Sequence, residues 1–233
     1  MSEREKILGR IREALTVAAP RPGQAGHHGS AGASHTNRTP SLSGDARQWL
    51  PLVGQTVEER FALFRKQATE LKAEFYLAKG TGEFAKLLVE LRDVDGWKKV
   101  GAHRGELTDV ACRALDLPVC HTDRQYEARE LESCDAGITE CDALVAQTGS
   151  VLVTSRSAGG RALSVLPPHH VVLARREQMV GDLTEAFELL KKKYGASYPS
   201  FISFITGPSR TGDIERILVL GAHGPKRLSI LCY

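Results

Sequence analysis

The sequence predicts an α/β fold, and three observations carry that expectation. From Phe61 onward, segments with apolar residues at helical spacing alternate with short β-rich runs, the pattern of a sheet whose strands are joined by helices. Two of those runs, "VLV" at 151–153 and "HVVLA" at 170–174, are apolar at consecutive positions, which suits strands covered on both faces. With 233 residues, 42% of them hydrophobic and 25% charged, the chain can bury a sizeable core in one large or two small domains.

At the N-terminus, Ile7, Leu8, Ile11 and Leu15 fall on one helical face opposite charged residues, so residues 1–17 read as an amphipathic helix. Residues 18–44 turn to Gly, Pro, Ser, Thr and His with scarcely an apolar side chain. Such a tract buries too little surface to offset the entropy of ordering, and it reads as a flexible linker whose His27, His28 and His35 are solvated. The α/β domain then occupies 45–233. Within it, Phe61, Phe64, Ala68 and Leu71 mark a helix that gives way to a β-like tail at Phe75–Ala78. "EFAKLLVELRDV" and "ELTDVACRAL" are further helices, followed by the short strand candidates "KKVGA" and "PVCHT" respectively. "AGITECDALVAQTGSVLVTS" gives two β-rich runs parted at Thr148-Gly149, and Pro167-Pro168 leads into the strand "HHVVLA". "LTEAFELLKKKY" is a helix with Lys191, Lys192 and Lys193 at its C-terminal end and Gly195 beside its cap. "SFISFIT" reads as a strand, Thr211–Leu220 as a short helix stopped by Gly221, and "RLSILCY" as a final strand.

Composition excludes several classes of function. Lys plus Arg exceed Asp plus Glu by three, 31 against 28, with no run of like charge to track a phosphate backbone or a membrane surface. No apolar stretch reaches membrane-spanning length and no secretory signal opens the chain, so a cytoplasmic location is expected. The five cysteines include no C-x-x-C pair, which removes the spacing of zinc ribbons and iron–sulfur clusters and leaves buried thiols as the simplest reading. No metal site is expected.

The chemistry gathers in four places. After "SFISFIT", the turn Gly207–Asp213 combines two glycines, a proline, two hydroxyls, Arg210 and a carboxylate. Placed between a strand and a helix, Gly207 would admit an acidic metabolite to the backbone amides and Arg210 would grip it. An equal reading makes Ser209, Thr211 or Asp213 a helix cap and leaves Arg210 in solvent. A second turn, "AHGPKR", holds His223 and Gly224; the imidazole there is a proton carrier if both turns share one end of the sheet, and otherwise a surface side chain. Thr148, Gly149 and Ser150 form a hairpin turn or line a cleft. Arg161, Ser164, His169 and His170 surround the Pro167-Pro168 approach, where adjacent histidines point to opposite faces, one inward and one outward. Walker, dinucleotide-binding, nucleophile-elbow and H-E-x-x-H signatures are absent.

The runs "GITECDALVAQTGSVLV", "RALSVLPPHHVVLA" and "ITGPSRTGDIERILVLGAHGPKRLSILC" resemble the LUD domain, and their order and spacing match the lactate utilization protein C family. The resemblance is close from about Cys134 to Tyr233 and extends back to about Phe61. It implies a doubly wound, mostly parallel sheet with helices on both faces, similar to the sugar-phosphate isomerase and CoA-transferase group. It also implies a part in oxidising L-lactate to pyruvate beside two iron–sulfur partner proteins, one cysteine-rich and one of ferredoxin type, with no cofactor held by this chain. The ligand implied is a small anion, lactate or pyruvate. Carried onto this sequence, the family's signatures point to His223, Asp213 and Glu215 for acid–base work. Thr148, Gly149, Ser150, Arg161, His170, Gly207, Ser209, Arg210, Thr211 and Gly224 are the corresponding positions for holding substrate. One departure stands out: Gln147 replaces a glutamate common before the Thr-Gly pair. Two alternatives remain open, a non-catalytic scaffold or regulator of that system and a stand-alone isomerase, CoA-transferase or cyclo-ligase-like enzyme.

Overall fold

A computed structural model of the chain describes residues 5, 50–123, 125–195, 197–211, 219–221 and 223–233. The chain divides into two units, Met1–Asp45 and Ala46–Tyr233. Of the first, Glu5 alone is described, helical and exposed, so the expected N-terminal helix and linker lie outside the described residues.

The second unit is built on six parallel strands. These are β1 (Glu74–Leu77), β2 (Val100–Ala102), β3 (Val119–His121), β4 (Ala136–Glu140), β7 (His169–Ala174) and β12 (Arg227–Cys232), arranged β1-β12-β7-β4-β2-β3. Helices α2 (Thr81–Asp95) and α3 (Glu106–Leu115) cover one face. Phe84, Leu88 and Leu91 of α2 and Leu107, Ala111 and Leu115 of α3 recur at helical spacing and are buried against Val100, Ile138, Val171 and Leu173. Each of these two helices starts at a glycine, which has no side chain of its own to cap it, while α1 (Val57–Glu70) has a full capping box between Thr56 and Glu59.

The other face holds a layer that periodicity did not announce. A second sheet, β8-β5-β6-β9, comprises β5 (Ala143–Val145), β6 (Ser150–Thr154), β8 (Met179–Val180) and β9 (Ile202–Ile205). Its Leu144, Val151, Val153 and Met179 join Phe61, Phe64 and Ala68 of α1 over Val172, Leu228 and Ile230 of the large sheet. Helix α5 (Leu183–Tyr194) closes the far side through Ala186, Leu190 and Tyr194. The first β-rich run of the central segment is therefore two strands in two sheets, β4 and β5. The chain crosses between them at Cys141-Asp142, where buried Asp142 accepts hydrogen bonds from Lys193 Nζ and Tyr194 Oη, both at 2.6 Å. A short helix, α4 (Ala128–Glu132), and a 3₁₀ turn at Ala162–Ser164 pack on β2 and β4. The turn approaches so closely that a Cβ on Gly137 of β4 would lie 2.2 Å from the Leu163 carbonyl oxygen, so only glycine fits beneath it.

The predicted helix over 211–220 is corrected at both ends. Arg210–Thr211 (β10) and Val219–Leu220 (β11) pair antiparallel, with Arg210 opposite Leu220 and Thr211 opposite Val219. The hydrogen bond from Gly221 N to Ser209 O continues that ladder, and it occupies backbone groups that a helix ending at Gly221 would have used. All five cysteines are free, four buried and Cys112 half-buried.

Candidate functional site

The turn after β9 and the turn before β12 come together. Ser209 N donates to Pro225 O at 2.9 Å, and a Cβ on Gly224 would touch Ser209 Cβ at 3.2 Å. Between them and the large sheet lies a cavity of about 250 Å³ whose lining includes Ser164, His170, Phe201, Ser203, Ile205, Gly207, Pro208, Ser209, His223, Gly224, Pro225 and Leu228. The expected convergence of an imidazole-bearing turn with the Gly207 turn is thus present. Its place in the sheet differs from expectation, because β9 pairs antiparallel with β6 in the small sheet and the cavity sits at the N-terminal ends of β7 and β12.

Local sequence explains how each wall is placed. Along β9 the two-residue alternation of a strand sends Phe201, Ser203 and Ile205 to the cavity side. Pro167 packs against Gly137 and the Lys226 amide donates to the Pro168 carbonyl at 2.7 Å, which brings the entry to β7 beside the entry to β12. Gly207 has φ +93°, and a side chain there would meet the Leu71 carbonyl at 2.6 Å. Glycine at this point lets the turn lie flat on the end of α1.

His170 is the most constrained polar group of the lining. It is 1% exposed, its Nε2 lies 2.9 Å from Thr139 Oγ1, and burial, with a smaller push from neighbouring His169, drives its pKa down to about 3. The ring is neutral near pH 7 and serves as a hydrogen-bonding group, not as a positive charge. The expectation that one of the two histidines points outward is corrected: His169 is also buried, because β7 has a packed layer on each face. On that opposite face His169 Nδ1 lies 3.1 Å from Asp95 and its Nε2 2.8 Å from Ser229 Oγ, the connectivity of a Ser-His-Asp triad. The hydroxyl proton of Ser229 is directed to Glu74 at 2.7 Å, and Ser229 is fully buried. With Arg227 bridging Asp95 and Glu74, the cluster ties β1, α2, β7 and β12 together and presents no nucleophile.

Of the residues singled out in sequence, Ser164, His170, Gly207, Ser209, His223 and Gly224 line the cavity. Arg210 stands at its rim: the guanidinium is exposed, donates to the Thr206 carbonyl at 3.2 Å and lies 3.5 Å from where a Gly207 Cβ would be. Arg161 is outside, stacked over the Phe201 ring at 5.6 Å and donating to Ser200 O. Thr148 and Gly149 form the β5–β6 hairpin turn, with Gly149 at φ +65° where a Cβ would lie 2.6 Å from the Ala68 amide nitrogen, and Ser150 Oγ pairs with Thr206 Oγ1. Gln147 uses its amide to hold the Pro51 carbonyl at 2.9 Å. Thr211 is placed as backbone in β10, and Asp213 and Glu215 lie outside the described residues. The lining contains Ser203, Phe201 and Ile205, which motif reading passed over although their alternation in "SFISFIT" marks one face of a strand. Among the described residues no group of three or more His, Cys, Asp or Glu side chains is arranged for a metal. No helix among them is long and apolar enough to cross a membrane.

Comparison with known proteins agrees with the signatures. A family model described as the LUD domain matches residues 61–233. A lactate utilization protein C of Shouchella clausii is 29% identical over 76% of this chain and 78% of its own length. Its namesake in Halalkalibacterium halodurans is 37% identical over 48% of this chain and 49% of its own, and that of Bacillus subtilis 23% over 79% and 82%. The crystal structure of a DUF162 family protein from Deinococcus radiodurans superimposes with a TM-score of 0.61 at 22% identity, covering 78% of this chain and 99% of that one. At that identity the last likeness is one of fold.

Proposed function

Because the chain belongs to the LUD domain family, and relatives matched over most of their length are named lactate utilization protein C, we propose that it is a component of a lactate utilization system. In this reading it works beside two iron–sulfur partner proteins in the oxidation of L-lactate to pyruvate and binds a small carboxylate at the cavity between its two C-terminal turns. The observation that carries the reading is the meeting of Gly207–Ser209 with His223–Pro225 over His170. A carboxylate at the mouth would be held by Arg210, whose guanidinium has donors beyond the one given to Thr206. Within the cavity the imidazoles and the hydroxyls of Ser164, Ser203 and Ser209 would orient the hydroxyl or carbonyl of the ligand. Removing two electrons and two protons from lactate needs an electron acceptor, which the partners' clusters would supply, while His223 is the exposed base able to pass a proton to water.

The non-catalytic alternative has its own support. Gln147 is occupied as a structural tie to Pro51, and the described lining includes no carboxylate. The experiment is complementation. Gly224→Val presses a side chain onto Ser209, which is already 3.2 Å from a Cβ at this position. In a strain lacking the gene, the wild-type chain restores growth on lactate and Gly224→Val, folded by circular dichroism, does not. Normal growth with that variant removes the cavity from the function. Failure of two iron-containing proteins to co-purify with the tagged chain removes the partner assignment.

A further inference from the structure

The cavity is larger and less polar than lactate requires. Its apolar walls are Val165, Phe201, Ile205, Pro208, Pro225 and Leu228, set among the serine hydroxyls and the imidazoles of His170 and His223, and no Lys or Arg is among the described lining residues. His170 is held neutral in the wall by its burial, so it brings no charge to offset a carboxylate taken inside. An ionised carboxylate moved into such surroundings without a cation loses hydration that the serine hydroxyls return only in part. A cationic group stands at the edge instead, Arg210 beside Gly207, while Arg161 lies outside, stacked over the Phe201 ring. At about 30 Å³ per water, 250 Å³ holds roughly eight waters. Lactate and pyruvate have six heavy atoms each, half of them oxygen, and would leave the apolar walls wet.

Resting on the carboxylate-binding reading above, we propose that the cavity selects a 2-oxo or 2-hydroxy acid whose side chain is bulkier than the methyl of lactate, a branched aliphatic or aryl group. The carboxylate sits at the rim with Arg210. The side chain enters between Phe201 and Ile205 of β9 and Pro225 and Leu228 at the start of β12. The oxygen on the second carbon lies where Ser209 and His223 reach it. Ser203, which points into the cavity midway along β9, sets the depth available.

The test is calorimetric titration of the full chain with pyruvate, 2-oxobutyrate, 4-methyl-2-oxopentanoate and phenylpyruvate. Each buried methylene raises affinity about fourfold, so 4-methyl-2-oxopentanoate binds tens-fold more tightly than pyruvate. Ser203→Leu, a β-compatible change on an edge strand, removes most of that preference. Arg210→Gln weakens the whole series by a common factor. Pyruvate binding as tightly as the larger acids overturns the size selection and leaves the carboxylate site standing. Binding of none of the four acids overturns both. A series unchanged in Arg210→Gln overturns the placement of the carboxylate at the rim, and the wild-type titration decides the size selection even if Ser203→Leu fails to fold.

Discussion

Replacing His170 with glutamine is expected to remove one proton from the acid sensitivity of the fold. The imidazole is 1% exposed, hydrogen bonded to Thr139 and held neutral down to about pH 3 by burial. In the unfolded chain it titrates near its ordinary value of about 6.5. Between those two values the unfolded chain carries a proton that the folded chain does not, so acid favours unfolding. Stability should fall by about 1.4 kcal/mol per pH unit through this window, or about 2 kcal/mol between pH 6.5 and 5. For a domain of this size that is about 4–8 °C in Tm. Glutamine can still bond Thr139 but takes up no proton. At pH 7 the variant is less stable, and the difference from the wild type should shrink by about 2 kcal/mol at pH 5. Urea unfolding at pH 7, 6 and 5, with equal m-values, measures that difference and cancels every group common to both chains. His169, which burial also holds below its usual value, is one of those common groups. A gap that stays constant from pH 7 to pH 5 would show that His170 is charged or solvated in the folded state, and the neutral wall of the cavity would go with it.

Two further substitutions probe the frame of the site. Asp142→Asn weakens the bonds to Lys193 and Tyr194 by about 1–2 kcal/mol, a range set low because Lys193 is half exposed. Burial raises the Asp142 pKa, but the bonds from Lys193, Ser157 and Tyr194 prevail and hold it below the usual carboxylate value. Its contribution is therefore present above about pH 4 and lost as acid protonates it, so this variant should differ from the wild type less below pH 4 than above it, as read by acid unfolding. Gly207→Ala forces a methyl group against the Leu71 carbonyl at a φ of +93°. It should cost roughly 1–3 kcal/mol by thermal melting and abolish ligand binding by calorimetry, and an unchanged melt would mean the turn is free to move away from α1.

Most elements were legible because their signals are local. "ELTDVACRAL" and "LTEAFELLKKKY" coincide with α3 and α5 because each carries a complete apolar stripe. β7 is read from its uninterrupted apolar run, since a strand with a layer on each face has no polar side. The division of one β-rich segment into β4 and β5 was not legible, since the cause is a contact from Asp142 to Lys193 and Tyr194, some fifty positions further along the chain. The paired residues around 210 and 220 were missed for a different reason: the apolar spacing of "DIERILVL" is helical, and the pairing of Arg210–Thr211 with Val219–Leu220, two residues on each side, leaves no mark on that spacing. At the site, Gly207, His170 and His223 were visible as glycine and histidine at turns and a strand entry. The lining by Phe201, Ser203 and Ile205 requires the small sheet to lie over the large one, which no local pattern encodes.

That added sheet also accounts for where the cavity is. In an open parallel sheet the ligand crevice opens at the carboxyl ends of the strands where the winding reverses, here between β2 and β4, from which the chain proceeds to opposite sides. The N-terminus of α3 faces that point and would attract an anion. Glu140, at the end of β4, already fills the position: its Oε1 accepts from the amides of Leu107 at 2.8 Å and Thr108 at 3.3 Å. Gly105 accommodates the carboxylate, since a Cβ there would lie 2.3 Å from the same oxygen. The helix dipole is thus satisfied from within the chain, and an external anion would have to displace a tethered one. A concave surface forms instead where β9 and its following turn overhang the entries to β7 and β12. Those entries are anchored on their other face by the Glu74, Asp95, His169 and Arg227 cluster, so the wall containing His170 and Leu228 is held from behind while the turns at Gly207 and Gly224 form the opposite wall. The rigid half of the site and its loop-built half come from different sheets, and a change of ligand could be accommodated in the turns without disturbing the parallel core.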